Sequence, residues 1–170
     1  ACGVDQPLDR ERGRRGDAVL RSYHAALFAT CHDAEFRIRA QLLQRTVVDA
    51  GQSTLAAKEK YRRERPFTLF DDPICVPDDV AVLRKNGGYP SGHASVGWAW
   101  ALILTEIAPD RTDALLRRGY EFGQSRVVCN LHWQSDVEES RVVAAATVAK
   151  LHALPEFRAD LDAVRMEVAA

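Results

Sequence analysis

From Val96 to Ile107 the chain is almost wholly apolar, with Gly97 and Thr105 as interruptions and Glu106 and Pro109 at its end. A bilayer span needs ~20 consecutive apolar residues, so this run is too short to cross a membrane. A helix that is apolar all round and cannot span has to be buried by the rest of its own chain. The sequence therefore predicts a central helix over Ala94–Ile107, closed by Pro109 and covered by its neighbours. The chain has 170 residues, and a chain of ~150 already buries roughly 68–70% of its unfolded surface, so one domain suffices to enclose such a helix.

The flanking sequence supplies helices and no strands. Between Asp17 and Gln44, Leu20, Tyr23, Leu27, Phe36, Ile38 and Leu42 or Leu43 recur at helical spacing, as one helix or as two broken near Cys31 and His32. Ser53 is the expected N-cap of a helix that stops near Glu64, because Pro66 pushes Arg65 out of the helical region. A short helix is expected over Asp79–Arg84, one from Arg111 towards Gly123 capped by Asp110, one from His132 through Leu154, and a last one over Glu156–Val168 opened by Pro155. In the His132–Leu154 segment, Val137, Val142, Val143, Ala146, Val148 and Leu151 are the apolar positions. Alternation of period two is sustained nowhere, and no repeat or linker divides the chain. The expectation is an all-α single domain over residues 1–170, a soluble protein with no membrane span.

Charge and cysteines narrow the class. With 23 Lys+Arg against 24 Asp+Glu the formal net charge is -1, which argues against a general polyanion binder and so against nucleic acid as a partner. Any cationic site has to be local. The four cysteines, Cys2, Cys31, Cys75 and Cys129, form no C-x-x-C pair, so a zinc ribbon or thioredoxin motif is disfavoured. Two disulfides, in any of three pairings, or four buried thiols both fit, and the even count leans to an oxidising compartment. With neither an initiating Met nor a basic-then-apolar leader, the chain reads as processed or trimmed.

Three short patterns carry chemistry. In Lys58-x6-Arg65-Pro66, a helix running to Glu64 at ~1.5 Å per residue places Lys58 and Arg65 about two turns apart and turned towards a single anion, with Arg65 as a bidentate fork and Lys58 as a point charge. Read alone, the run Lys58, Lys60, Arg62, Arg63, Arg65 is a solvated helix end. Pro90-Ser91-Gly92-His93 opens the central helix, where unpaired N–H groups and the dipole favour an oxyanion and Gly92 permits close approach. Read alone, it is an N-cap serine and a glycine turn, and it is not the G-x-S-x-G of a serine hydrolase. In Ser125-Arg126-x5-His132-x3-Asp136, an i, i+4 pair on a helix lets Asp136 accept the Nδ1 proton of His132 and leave Nε2 free to attack. Read alone, it is a surface pair.

Together, in this order and spacing, the patterns resemble the signature of the PAP2 superfamily, which includes type 2 phosphatidic acid phosphatases and vanadium haloperoxidases. The flanking residues, Asn86-Gly87-Gly88-Tyr89-Pro90-Ser91-Gly92-His93-Ala94-Ser95-Val96-Gly97-Trp98-Ala99 and Gly123 through Asp136, are similar to bacterial class A non-specific acid phosphatases. The resemblance covers Lys58–Asp136, extends weakly through the last helices and is poor before Ser53. Residues 53–170 are accordingly the expected catalytic core, and 1–52 a divergent or shortened N-terminal helical segment.

The resemblance implies a helical bundle of the PAP2/haloperoxidase type and an acid phosphatase of broad specificity. His132 would be the nucleophile and form a phosphohistidine, Asp136 would orient it, and His93 would be the acid and then the base. Lys58, Arg65, Ser91, Gly92 and Arg126 would hold the phosphate. It implies small phosphomonoester substrates, phosphotransfer to added alcohols, no metal or other cofactor, and vanadate as an inhibitor. A periplasmic or secreted protein is expected, with self-association left open. If the first and third patterns meet at one phosphate, Cys75 and Cys129 are brought together and form a disulfide, leaving Cys2 and Cys31 as a second pair. The alternatives are a vanadium haloperoxidase, a metal site of His93, His132 and Asp136, which the surrounding cations oppose, and a non-catalytic phosphate-binding helical module.

Overall fold

The computed structural model describes residues 37–70 and 73–169. Its elements are α1 (Arg37–Gln52), α2 (Leu55–Tyr61), α3 (Pro66–Leu69), a 3-10 turn at Pro77–Asp79 leading into α4 (Val80–Leu83), α5 (Gly92–Ile107), a 3-10 turn at Pro109–Arg111, α6 (Thr112–Val128), α7 (Gln134–His152) and α8 (Pro155–Ala169). Among the described residues there is no strand, so the fold is all-α. Nor is any helix among them long and apolar enough to cross a membrane.

The apolar run becomes the hub. α5 packs against α1, α6, α7 and α8, and its Val96, Ala99, Trp100, Ile103 and Ile107 join Leu42 and Leu43 of α1, Phe122 of α6, Ala144, Val148 and Leu151 of α7, and Phe157, Leu161 and Val164 of α8 in one core. Two polar groups inside it are satisfied by α1: the Trp100 indole donates to the Leu43 carbonyl at 3.0 Å and the Ser95 hydroxyl to that of Ala50 at 2.9 Å. A smaller core of Phe67, Val76, Cys129 and Leu131 lies under the loop before α4. Cys75 and Cys129 are bridged within it, as expected. Closing a loop of 54 residues contributes about 4 kcal/mol on the chain-entropy model.

α5 and α6 meet along glycines. A Cβ on Gly97 would lie 2.3 Å from Phe122 Cδ1, and one on Gly119 only 2.5 Å from the Ala101 Cβ and 3.2 Å from the Gly97 carbonyl. Gly119→Val is thus expected to lower the unfolding free energy by about 1–3 kcal/mol through overpacking, although leaving glycine favours an isolated helix. Urea titration should show an earlier midpoint at an unchanged slope; an unchanged midpoint would mean the seam has room.

Several boundaries differ from the sequence expectation. α1 runs on from Gln44 to Gln52, with Thr46 accommodated by donating its hydroxyl back to Leu43. Ser53 does not cap α2: Thr54 holds the N-cap position, and both hydroxyls donate to carbonyls of the preceding turn, Ser53 to Ala50 and Thr54 to Gly51. α2 ends at Tyr61, before Glu64, because Arg62 turns left-handed (φ 42°) and an extended stretch then feeds Pro66 at the start of α3. Asp110 lies in a 3-10 turn and caps nothing, and α6 continues past Gly123 to Val128. Gly123 is a point of close approach: its Cβ would sit 2.8 Å from Val137 Cγ1. α7 buries Val137, Ser140, Ala144, Val148 and Leu151, a helical stripe that leaves Val142 63% exposed and Ala146 exposed. α8 starts at Pro155 as expected. Cys2, Cys31, His24 and His32 lie outside the described residues.

Candidate active site

Three segments converge at the N-terminal ends of α5 and α7. The first is the extended exit from α2. Lys58 donates from Nζ to the Gly87 carbonyl at 3.0 Å. Arg65, 4% exposed, is in no helix with Lys58, so the two-turn spacing expected from the sequence does not hold. The two cations meet instead because the chain folds back onto residues 86–88. Arg65 Nη2 donates to Asn86 Oδ1 at 2.6 Å and to the Gly87 carbonyl at 3.5 Å, and Nε donates to the Leu83 carbonyl at 3.1 Å. Gly87 allows this approach, since a Cβ there would lie 2.6 Å from the Lys58 carbonyl oxygen.

The second segment is the start of α5. Ser91 is the N-cap and fully buried; the Ala94 N–H donates to its hydroxyl at 3.3 Å. Its own N–H donates to the Asp136 carbonyl at 3.0 Å, and its carbonyl accepts from the Ser140 hydroxyl at 2.8 Å. The turn is therefore pinned to α7. Gly92 and His93 open the helix, where N–H groups have no carbonyl partner one turn back.

The third segment leaves α6. Arg126, in its last turn, is 2% exposed, with Nε and Nη2 on the Ser125 hydroxyl at 3.0 and 2.9 Å. Its carbonyl accepts the N–H groups of both Leu131 and His132, which shapes the turn that presents His132. His132 precedes α7 and is not part of it, so the helical i, i+4 argument fails for it. Asp136 nevertheless reaches back over the helix N-terminus. Its Oδ2 receives the Trp133 N–H at 2.9 Å and lies 3.3 Å from His132 Nδ1.

The tautomer follows from the opposite side of the ring. Arg65 Nη1 stands 2.9 Å from His132 Nε2, and a guanidinium can only donate. Nε2 is therefore the acceptor, and the ring hydrogen sits on Nδ1, facing Asp136.

Burial sets the charges. It lowers Lys58 to about 8, with repulsion from Arg65 adding and attraction to Asp136 opposing. It lowers Arg65 to about 10 against the pull of Asp136, and Arg126 to about 10. Burial also drives His132 down to about 4, opposed by its hydrogen bond to Asp136 and reinforced by Arg65 and Lys58. His93 falls to about 3 through burial and then through repulsion by Arg126, His132, Arg65 and Lys58. Those mutual repulsions place His93 in one field with the three cations and His132. For Asp136, burial works to raise the pKa, but the hydrogen bonds from His132 and Trp133 and the charges of His132 and Arg63 outweigh it and hold the group below its ordinary value.

The site is thus a set of cations around two neutral imidazoles, one of them with Nδ1 turned to Asp136 and Nε2 accepting from Arg65. It suits an anion. Among the described residues, no three His, Cys, Asp or Glu side chains are grouped to hold a metal ion. Sequence reasoning missed Asn86, which holds Arg65, Ser140, which holds the turn at Ser91, and Arg63, whose Nη1 donates to Asp136 Oδ1 at 2.9 Å. Arg63 was hidden in a run of basic residues, and nothing in its spacing from Lys58 or Arg65 sets it apart. His152, outside the site, pairs with Glu106 at 2.8 Å.

The family model of the PAP2 superfamily matches residues 42–159, a match that begins ahead of Ser53. A non-specific acid phosphatase of Providencia stuartii is 51% identical over 130 residues, 76% of this chain and 52% of that protein. One from Salmonella typhimurium is 51% identical over 116 residues, covering 68% and 46% respectively. An acid phosphatase of Zymomonas mobilis is 39% identical over 151 residues, 89% and 57%. The chain spans about half the length of the curated relatives it matches.

Proposed function

Because the chain belongs to the PAP2 superfamily, and the relatives it matches are named acid phosphatases, we propose that it hydrolyses phosphomonoesters through a phosphohistidine, without a metal. The observation that carries this reading is His132, with Nδ1 turned to Asp136 and Nε2 held as an acceptor by Arg65. The phosphate enters among Lys58, Arg65, Arg126, the Ser91 hydroxyl and the Gly92 N–H. Arg65 Nη1 passes from the neutral imidazole to a phosphate oxygen, which is the stronger, charge-assisted partner. That frees the Nε2 lone pair.

In the first step Nε2 attacks phosphorus, the P–O bond to the alcohol breaks, and the leaving alkoxide takes a proton from His93. Asp136 supports the positive charge on the His132 ring. In the second step His93, now neutral, takes a proton from water as that water attacks phosphorus; the P–N bond breaks and orthophosphate leaves. The cations hold the equatorial oxygens throughout. All these contacts fall on the phosphate, which favours broad specificity for the alcohol and phosphotransfer to added alcohols. Five-coordinate vanadate on His132 would mimic the transition state and inhibit. The Cys75–Cys129 bridge favours a periplasmic or secreted location.

The test is hydrolysis of p-nitrophenyl phosphate across pH, with and without chelator. The expected optimum lies on the acid side of neutral. His132 has to be neutral to attack, so activity falls as pH drops through about 4. His93 has to be protonated in the complex, where the bound phosphate offsets the surrounding cations and raises its pKa, so activity falls again as pH rises past that value. EDTA is expected to change nothing. Activity abolished by EDTA and restored by zinc or magnesium would overturn the reading.

A further inference from the structure

Asp136 is fully buried and uses both carboxylate oxygens in opposite directions. Oδ2 serves His132 and the Trp133 N–H. Oδ1 faces away and takes the Arg63 guanidinium at 2.9 Å. The same Nη1 donates to the Ser135 hydroxyl at 2.7 Å, and the guanidinium carbon lies 5.6 Å from the Trp133 ring centre and 6.0 Å from that of Tyr89. The Arg63 carbonyl accepts the Gly88 N–H at 2.8 Å. Arg63 is therefore fixed at its backbone and at its tip. Its side chain remains 38% exposed and lines, with Tyr61 and Tyr89, a cleft of about 400 Å³.

Resting on the phosphatase reading above, we propose that Arg63 is a positioning residue for the reaction: it holds Asp136 by Oδ1, so that Oδ2 stays aimed at His132 Nδ1. Two physical consequences follow from that arrangement. A buried carboxylate with only one oxygen tied can rotate about its χ2, and the direction of the His132 ring rotates with it. The positive charge on Arg63 also tempers the field that Asp136 exerts on the imidazole. Without Arg63, the negative charge of Asp136 acts on His132 undiluted and favours the imidazolium, which cannot attack. Arg63 acts through Asp136, and its contacts run to Asp136, Ser135, Gly88, Tyr89 and Trp133.

Arg63→Gln keeps much of the side-chain shape and removes the charge; Arg63→Lys keeps the charge on a single donating nitrogen. Arg63→Gln is expected to lower kcat ~10–100-fold, the scale found when the residues that orient metal-bound histidines and carboxylates are removed, with KM for p-nitrophenyl phosphate nearly unchanged. Arg63→Lys is expected to recover most of that loss. Nitrogen NMR of His132 reads the same coupling without turnover: its protonation midpoint rises in Arg63→Gln and stays near the parent value in Arg63→Lys. Equal kcat and equal midpoints in parent, Gln and Lys proteins would overturn the proposal, as would a raised KM at unchanged kcat, which would make Arg63 a substrate ligand. If the parent protein hydrolyses no phosphomonoester, the phosphatase reading fails, and the His132 midpoints still decide whether Arg63 positions Asp136.

Discussion

Replacing His132 by alanine is expected to reduce turnover of any phosphomonoester by on the order of 10⁴–10⁶-fold, the scale seen when a nucleophile that works as part of a unit is removed. Among its neighbours only His93 offers another neutral imidazole. Lys58, Arg65 and Arg126 are held as cations, and Ser91 is fully buried as a helix cap. His93→Ala should behave differently. With p-nitrophenyl phosphate the leaving group needs little acid help, so the first step survives, whereas water still lacks its base in the second. That variant is expected to turn over slowly and to accumulate phosphoenzyme. Steady-state rates on purified variants, set against the folded fraction of each, check the contrast. Substantial residual turnover in His132→Ala would place the nucleophile elsewhere.

Asp136→Asn should be nearly as severe, for a reason that lies in hydrogen bonding and not in shape. The carboxylate accepts on both oxygens, from Arg63 on one and from His132 and Trp133 on the other. An amide can accept on only one. If its nitrogen faces Arg63, two donors meet in a buried site. If its nitrogen faces His132, Nδ1 has to become the acceptor, the hydrogen moves to Nε2, and that atom can no longer attack and collides with the donating Arg65. A loss of about 10⁴-fold in kcat is expected, as for other carboxamide substitutions that upset a histidine tautomer. Losing the ion pair with Arg63, which is 38% exposed, costs only about 0.2–1 kcal/mol, and the buried donor left without an acceptor adds about 1–3 kcal/mol. Parallel kcat and urea measurements separate the two effects; a stable variant with parental kcat would show that Asp136 does not set the tautomer.

Much of the fold was legible because its signals are local. The apolar run that becomes α5, the stop at Pro109 and the start at Pro155 each depend on a few adjacent residues. Two of the failures have a common physical origin, since a glycine or a serine has more than one use. Gly123 reads as a helix end, but α6 runs through it because the missing Cβ admits Val137. Ser53 reads as a cap, but its hydroxyl donates backwards. Lys58 to Glu64 are residues that a helix accepts readily, and nothing in the pattern marks the left-handed turn at Arg62.

The site shows the same division. His132, His93, Asp136, Lys58, Arg65 and Arg126 stand out because their types and order match one chemistry, and the structure brings them into a single field. The Cys75–Cys129 bridge was reachable from the convergence of two patterns. Arg63 was not, because its partner lies 73 residues further along the chain and its neighbours in sequence are other cations that resemble a solvated helix end. The contact of Arg65 with His132 Nε2 was hidden for a similar reason: it depends on a fold-back at residues 86–88, not on spacing along a helix.

The central claim is that phosphorus becomes bonded to His132. Rapid quenching of the protein with radiolabelled phosphomonoester, followed by peptide mapping under the alkaline conditions that preserve a phosphoramidate, tests it directly. The account predicts label on His132, enriched in His93→Ala and absent from His132→Ala. Label on any other residue, or none on His132 in the His93→Ala protein while it still turns over, would contradict it.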